Sequence, residues 1–449
     1  MKFASLRPFF YKLHLWLGVV SGLILFVVCL SGSLYVFREE VRRAVAPEQF
    51  YVEATADQRL SADAIVEKVE AAKPGKKVGS LTIPESPTRT VAVVLNDAPK
   101  KGEKGPKGEG KGGEKAGAKP EKGGEAEKGN QGGKGGGKKR GETIYVNPYD
   151  GEIVGDGKTS VNEFFGFLMR LHRWLCLPTE IGRPIVGVAT IIYVVISLTG
   201  LLLWLPRTAA AWRRKSTWKT ALNVRVRRGG WPLVFDLHNA LGFYTLVPAL
   251  ILALTGLCWS FGWYRDAAGA VLGEAPFKAK TEKPETLTPP DGSPRPATLE
   301  ELIAKHNELD PGAGDVTVAI PKDAETATTI QKGRVDGFFA LNVKNKTQWN
   351  RFDGTVVPVE RYGKTVEVER FADKPFGAKI ASSIRALHLG EITGLSSKIF
   401  FFVVCLIATS FPATGVALWV RKLRARNKKE PTENEAADAD QGASNQQTA

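Results

Sequence analysis

The sequence predicts an integral membrane protein, an α-helical bundle of four spans that carries two small α+β domains outside the cytoplasm. Three observations predict this fold. The 449-residue chain has four long apolar runs, two long polar connections that each begin as a helix and continue as β-strands, and four regularly spaced histidines. Its four cysteines stand singly, so a disulfide framework, a CxxC redox motif and CxxCH-linked haem are all excluded.

Each apolar run is long enough for a membrane-spanning helix, for which about 20 residues suffice. The first run, residues 13–37, contains no Asp, Glu, Lys or Arg. A cleaved signal peptide is the alternative for this run, but the apolar core is too long and no A-x-A site closes it. The other runs cover residues 185–205, 237–263 and 399–420.

Basic residues beside the spans predict the orientation of the chain. Residues 206–230 contain eight Lys or Arg and no acid, and the segment after residue 420 is similarly basic. By the positive-inside rule both segments and both termini are cytoplasmic, and the two long connections lie outside. Because proximity to a span explains these charges, they do not indicate a nucleic-acid partner.

The two long connections share one pattern. Residues 61–75 predict a short helix capped by Ser61, followed by β-branched segments and a turn at Asp150-Gly151. Residues 298–307 predict a second helix, and Asp353-Gly354 matches the first turn. Residues 98–140 are almost only Gly, Lys, Glu, Ala and Pro, which bury too little to offset ordering entropy. They predict a disordered, solvated insert rather than a polyanion-binding segment.

These patterns divide the chain into nine segments. They are a cytoplasmic N-terminus (1–12), span 1 (13–37), outer domain 1 with its insert (38–160), an outer helix with span 2 (161–205), a basic loop (206–232), span 3 (233–264), outer domain 2 (265–375), an outer helix with span 4 (376–420) and a cytoplasmic tail (421–449).

Four of the five histidines lie at the spans and repeat with an offset near 220 residues. His14 precedes a Ser-Gly pair by 17 residues, as His238 precedes a Thr-Gly pair by 17. His172 and His388 precede Thr-Gly pairs by 27 and 26 residues. The sequence therefore predicts a tandem repeat with a pseudo-twofold axis along the membrane normal. That symmetry places His14 opposite His238 (the inner pair) and His172 opposite His388 (the outer pair).

Two imidazoles in each layer match the two axial ligands of a haem iron. Zinc requires three or four ligands, and no further donor recurs with these histidines. The alternative for any one histidine is a hydrogen bond across helices or a place at the headgroup interface, but four in a repeated pattern favour haem. His306, on a polar outer helix, breaks the pattern and is predicted to lie on the surface.

Other residues near the outer pair are secondary candidates. Arg173 and Arg385 could pair with haem propionates or with lipid headgroups, and Glu180 and Glu391 could support the outer histidines or be solvated. Tryptophans near the span ends fit an aromatic belt without any electron-transfer role.

Four segments resemble the helices of PepSY-associated transmembrane proteins: LHLWLGVVSGLILFVVCLSGSLYVFREE, LHRWLCLPTEIGRPIVGVATIIYVVISLTGLLLWLPR, DLHNALGFYTLVPALILALTGL and LHLGEITGLSSKIFFFVVCLIATSFPATGVALWVRK. The resemblance implies PepSY-like outer domains, a multi-pass protein of a bacterial inner membrane, and two b-type haems. The ligands would be His14, His238, His172 and His388. Some members are implied to reduce ferric siderophores in the periplasm during iron uptake. This sequence departs from the family in its insert and in lacking the Arg that often follows the first histidine.

The sequence thus predicts a di-haem electron conduit, an oxidoreductase of the ferric-siderophore reductase type. No GxGxxG follows a predicted strand, so electrons would come from quinol or a protein donor and pass to a ferric complex outside. One alternative is a haem-free membrane protein whose outer domains bind or regulate peptidases or envelope proteins. Another is a transporter that uses the membrane histidines as proton relays.

Overall fold

A computed structural model describes residues 3–55, 58–98, 141–277, 287, 295–323, 325–333 and 343–427. Residues 99–140 of the predicted insert lie outside the described residues, as does the tail beyond residue 427. The helices are α1 (Phe3–Tyr35), α2 (Arg38–Val45), α3 (Pro47–Phe50), α4 (Ala62–Ala72), α5 (Asn162–Trp174), α6 (Thr179–Trp204), α7 (Ala209–Arg213), α8 (Lys215–Leu222), α9 (Gly230–Asp236), α10 (Gly242–Ser260), α11 (Gly262–Leu272), α12 (Leu299–Leu309), α13 (Phe376–Leu389) and α14 (Leu395–Asn427).

Four of these helical segments are long and apolar enough to cross a membrane, which confirms the four predicted spans. They are Leu6–Tyr35, Thr179–Trp204, Gly230–Ser260 and Leu395–Arg426. The third joins α9 to α10 through a π-helical turn at Leu237–Leu241. With 26 to 32 residues, each exceeds the roughly 20 that a bilayer requires.

The chain divides into two compact units. The helical unit comprises the described residues of the ranges 1–33, 171–256 and 402–449, and the sheet unit those of the ranges 34–170 and 257–401. In the helical unit, a Cβ placed on Gly22 would lie 3.3 Å from Cβ of Pro412, so glycine permits α1 and α14 to pack closely. Arg7 donates to the carbonyl oxygen of Leu205 (3.1 Å), which satisfies an acceptor left open at the end of α6.

The strands are β1 (Lys76–Ile83), β2 (Val91–Asp97), β3 (Glu142–Val146), β4 (Ile153–Gly155), β5 (Asp315–Ala319), β6 (Thr328–Gly333), β7 (Lys344–Trp349), β8 (Val359–Arg361), β9 (Lys364–Val366) and β10 (Val368–Glu369). Eight of them form one sheet in the order β10-β7-β6-β5-β1-β2-β3-β4, while β8 and β9 pair separately. The strands of the two predicted outer domains are therefore continuous, because β1 pairs antiparallel with β5 through Leu81 and Val318.

Helices α4 and α12 pack on one face of this sheet. Ile65, Leu81, Leu302 and Ile330 are fully buried between the helices and the sheet, and each contributes about 1.5–3 kcal/mol by leaving water. The helices also cap each other. Asp63 in α4 accepts hydrogen bonds from the first two amides of α12, both at 3.0 Å. In return, Glu300 in α12 accepts from the first amide of α4 (3.0 Å).

The two predicted Asp-Gly turns have matching hydrogen bonds. At each turn an Asn side chain accepts from the amide two residues later, and the Asp side chain accepts from the amide two residues after it. The glycines, Gly151 and Gly354, have positive φ angles of +77° and +68°, which favour glycine.

The helices that carry His172 and His388 end before the spans begin. After α5, Leu175 and Cys176 adopt left-handed backbone (φ +54° and +58°). Gly390 does the same after α13 (φ +65°). Each outer histidine thus lies on a helix separate from its span.

The prediction that His306 lies on the surface is wrong. It falls on the same face of α12 as Leu299, Leu302 and Ile303, is fully buried, and its Nδ1 lies 2.9 Å from Oγ1 of Thr347 in β7. Burial, and then the positive charge of Lys332, lower the pKa of His306 to about 4. Polarity alone predicts an exposed side chain, but the position of His306 in the helical period places it inside.

Candidate functional site

His14 lies on α1 and turns its ring toward α6. Its Nδ1 is 3.0 Å from the carbonyl oxygen of Ile196 and 3.2 Å from Oγ1 of Thr199. A carbonyl oxygen can only accept, so this contact requires the proton on Nδ1. The lone pair then lies on Nε2, the nitrogen that is left to bind a metal.

His238 lies in the π-helical turn Leu237–Leu241, and such turns are frequent at functional sites. Its Nδ1 is 2.8 Å from Oγ1 of Thr414 in α14. That hydroxyl has a single proton and two backbone acceptors in reach, the carbonyl oxygens of Ser410 (3.0 Å) and Phe411 (3.2 Å). With its proton donated to one of them, the hydroxyl accepts from Nδ1–H of His238, and in this tautomer the lone pair lies on Nε2.

The structure brings the inner pair together. The ring centroids of His14 and His238 are 6.4 Å apart, and the ring planes are inclined at 87°. A metal–imidazole bond is about 2 Å long and the ring centre lies about 1 Å beyond the nitrogen, so two imidazoles on opposite sides of one metal have centres about 6 Å apart. The observed separation fits one metal atom between two axial histidines.

Glycines of the Thr-Gly pairs lie against the rings of the inner histidines. A Cβ on Gly200 would lie 3.1 Å from Cε1 of His14, and a Cβ on Gly415 would lie 3.5 Å from Cε1 of His238. In each pair the threonine contacts Nδ1, and at Gly200 the missing side chain lets the ring approach the helix, whereas a Cβ on Gly415 would make only ordinary contact. Sequence analysis found these pairs only as markers of the repeat, and each pair contacts a different histidine from the one that its spacing was counted from.

His172 makes the same kind of contact with α1. Its Nδ1 is 2.8 Å from the carbonyl oxygen of Val28, and a Cβ on Gly32 would lie 2.8 Å from its Cε1. The proton is again required on Nδ1. Burial lowers the pKa of His172, which favours the neutral imidazole that ligates iron.

His388 lies on α13 in the sheet unit, where its ring centroid is 5.1 Å from that of Trp259. Because His172 belongs to the helical unit, the pairing of the two outer histidines stays a prediction.

The secondary candidates differ in their surroundings. The guanidinium of Arg173 lies 5.0 Å from the ring centre of Trp174. Arg385 and Glu180 are exposed. Glu391, by contrast, is only 6 % exposed.

Glu391 belongs to a buried charge cluster that sequence analysis missed. Its Oε1 is 3.4 Å from Nη2 of Arg38 and 3.8 Å from Nζ of Lys398. Lys398 also bonds Glu40 at 2.8 Å. The backbone amide of Glu391 donates to the carbonyl oxygen of Ala386 (2.7 Å), so the cluster is attached to the end of the helix that carries His388.

Within the described ranges, no group of three or more His, Cys, Asp or Glu side chains is placed to hold a metal ion. The inner pair therefore offers two nitrogen ligands. A six-coordinate haem iron takes four ligands from the porphyrin and needs two more from the protein.

A search of curated proteins finds no match to this chain. Residues 11–422 match the family model described as PepSY-associated TM region, a range that includes the second and third spans, most of the first and fourth, and the residues of the sheet unit. The chain therefore belongs to the PepSY-associated transmembrane family.

Proposed function

We propose that this protein is a transmembrane electron conduit that holds two b-type haems and reduces a ferric complex of the siderophore type outside the cytoplasm. The observation that supports it best is the inner pair, two imidazoles with centres 6.4 Å apart, each with a hydrogen-bond partner on Nδ1.

The protein's own groups would prepare each imidazole for iron. The carbonyl of Ile196 and the hydroxyl of Thr414 accept from Nδ1–H and so fix the tautomer and the orientation of each ring. The carbonyl of Val28 acts in the same way on His172. Haem, when bound, supplies one-electron chemistry at a potential that the axial ligands and burial set.

The residues in the proposal are those of the repeat. His14 and His238 would hold the inner haem, and His172 and His388 the outer one. Electrons would enter from quinol or a protein donor on the cytoplasmic side of a bacterial inner membrane and leave to the ferric complex in the periplasm. Two sites in a layer about 30 Å thick would divide one long electron transfer into shorter steps.

The visible spectrum of the purified protein tests the proposal. We expect a Soret band and sharp bands on reduction, with two haems per chain. His14→Ala and His238→Ala should each remove the inner haem, whereas His172→Ala and His388→Ala should each remove the outer one. His306→Asn is the matched histidine control, because His306 lies in α12 against β7 and should leave the spectrum unchanged.

A colourless protein from haem-supplied cells would overturn the proposal and favour the haem-free alternative, in which the outer domains bind peptidases or envelope proteins. Full haem content in both inner variants would show that the inner pair does not ligate iron.

A further inference from the structure

The connection between α6 and α9, residues 206–229, forms a folded basic surface. Six of its cationic side chains are exposed, and among the residues that the structure describes none of the six makes an ion pair. They are Arg207, Arg213, Arg214, Lys215, Lys219 and Arg227. The adjacent acid, Asp236, is 3 % exposed and is neutralised by Arg225 at 2.5 and 2.8 Å. The exposed charge of this surface is therefore entirely positive.

Tryptophans fix this surface at the end of the spans. The indole N–H of Trp218 donates to the carbonyl oxygen of Trp212 (2.8 Å), and that of Trp212 donates to Pro206 (3.1 Å). The ring of Trp218 also lies 5.5 Å from that of Trp204, the last residue of α6. Trp212 is nevertheless 48 % exposed, so its ring faces outward with its polar group already satisfied. This is the arrangement of an indole at the headgroup level of a bilayer.

A second set of cations lies at the same end of the helical unit. Arg421 lies 5.5 Å from the ring centre of Trp231, at the start of α9, and Lys422 lies 4.1 Å from that of Tyr11. The exposed basic residues therefore extend from the connection to the end of α14.

We propose that residues 206–229 bind the headgroups of anionic phospholipids. The segment begins immediately after one span and ends at the next, so phosphates of the bilayer are the anions at contact distance. Each Lys or Arg near such a surface raises the association constant for anionic over neutral lipid by up to about fivefold. An acidic protein would also match the positive charge of this surface. The exposed indole of Trp212 favours a lipid interface instead, because indoles are enriched at the headgroup level.

The test measures lipid preference of the full chain reconstituted in nanodiscs. Spin-labelled phosphatidylglycerol and phosphatidylcholine compete for the first lipid shell, and their relative association constant is read from the immobilised fraction. We expect wild type to prefer phosphatidylglycerol, and the triple variant Arg213→Ser, Arg214→Ser, Lys215→Ser to lose at least about twofold of that preference. Salt should reduce the wild-type preference because it screens charge.

The control variant is Lys77→Ser, Lys322→Ser, Lys364→Ser, which removes the same charge from exposed positions of the sheet unit. It should keep the wild-type preference, and the thermal unfolding of both variants should match wild type. An unchanged preference in the first variant, or an equal loss in the control, would overturn the proposal. So would binding of soluble polyglutamate by a wild type that shows no lipid preference, since the surface would then be a protein dock.

Discussion

Replacing Thr414 by Val tests whether the hydroxyl on α14 prepares His238 for iron. Valine has nearly the same shape but no acceptor, so Nδ1–H of His238 loses its partner at 2.8 Å inside an apolar bundle. An unsatisfied buried donor costs about 1–3 kcal/mol, which corresponds to roughly 5-fold to 150-fold in an equilibrium constant. Removing such an outer-shell partner of a metal-bound histidine lowers metal affinity by about 10–100-fold. We therefore expect at least tenfold weaker binding of the inner haem.

The assay is the rate of haem transfer from the purified protein to excess apomyoglobin. Two haems should give two kinetic phases, and in Thr414→Val the phase of the inner haem should be faster than in wild type. Thr409→Val is the matched control, because Thr409 lies on the same helix and its hydroxyl donates to that helix's own Cys405 carbonyl (2.8 Å). Thr414→Ser should restore slow transfer. Equal rates for Thr414→Val and Thr409→Val would refute the role assigned to this hydroxyl, even if haem is present.

Three further predictions concern packing, buried charge and pH. Gly32→Ala should displace His172 and lower outer haem content, since its Cβ would lie 2.8 Å from the ring, whereas Gly18→Ala, with open space, should be neutral by the same spectrum. Glu391→Gln should destabilise the sheet unit by about 1–3 kcal/mol in urea unfolding, because two buried cations each lose one of their two carboxylate partners, and an unchanged free energy of unfolding would contradict this. His306 has a folded pKa of about 4 against 6.5 unfolded, so the unfolded state binds more protons below pH 6.5. Stability should fall by up to about 3 kcal/mol from pH 6.5 to 4 and level off below, as measured by hydrogen exchange of α12, and His306→Gln should flatten the dependence.

The spans were predictable because length and apolar composition alone determine whether a helix can cross a bilayer. The residues at which the spans begin and end were less predictable. The third apolar run begins near residue 237, but the helix begins at Gly230. Backbone hydrogen bonding continues through Asp236, whose charge ends the apolar run, into the apolar residues before it.

Contacts between distant segments could not be predicted from local pattern. The strand signals around Leu81 and Val318 were recognised, but nothing in either strand specifies that β1 pairs with β5. The same holds for Glu391, whose partner Arg38 lies 353 residues earlier. Its carboxylate reads as solvated in the sequence, and only the fold shows that two cations surround it.

The inner pair shows how a small polar motif can function inside an apolar helix. A threonine alone would satisfy its own hydroxyl on its own helix, as Thr199 does with Val195 (2.9 Å), and would leave no reason for a histidine to approach. A glycine alone would leave space without orientation. Together, Thr199 and Gly200 admit the ring of His14 and present an acceptor to Nδ1, so that Nε2 is the unprotonated nitrogen. Because an imidazole in lipid is costly unless it has a partner, this arrangement stabilises the free ligand before any metal binds.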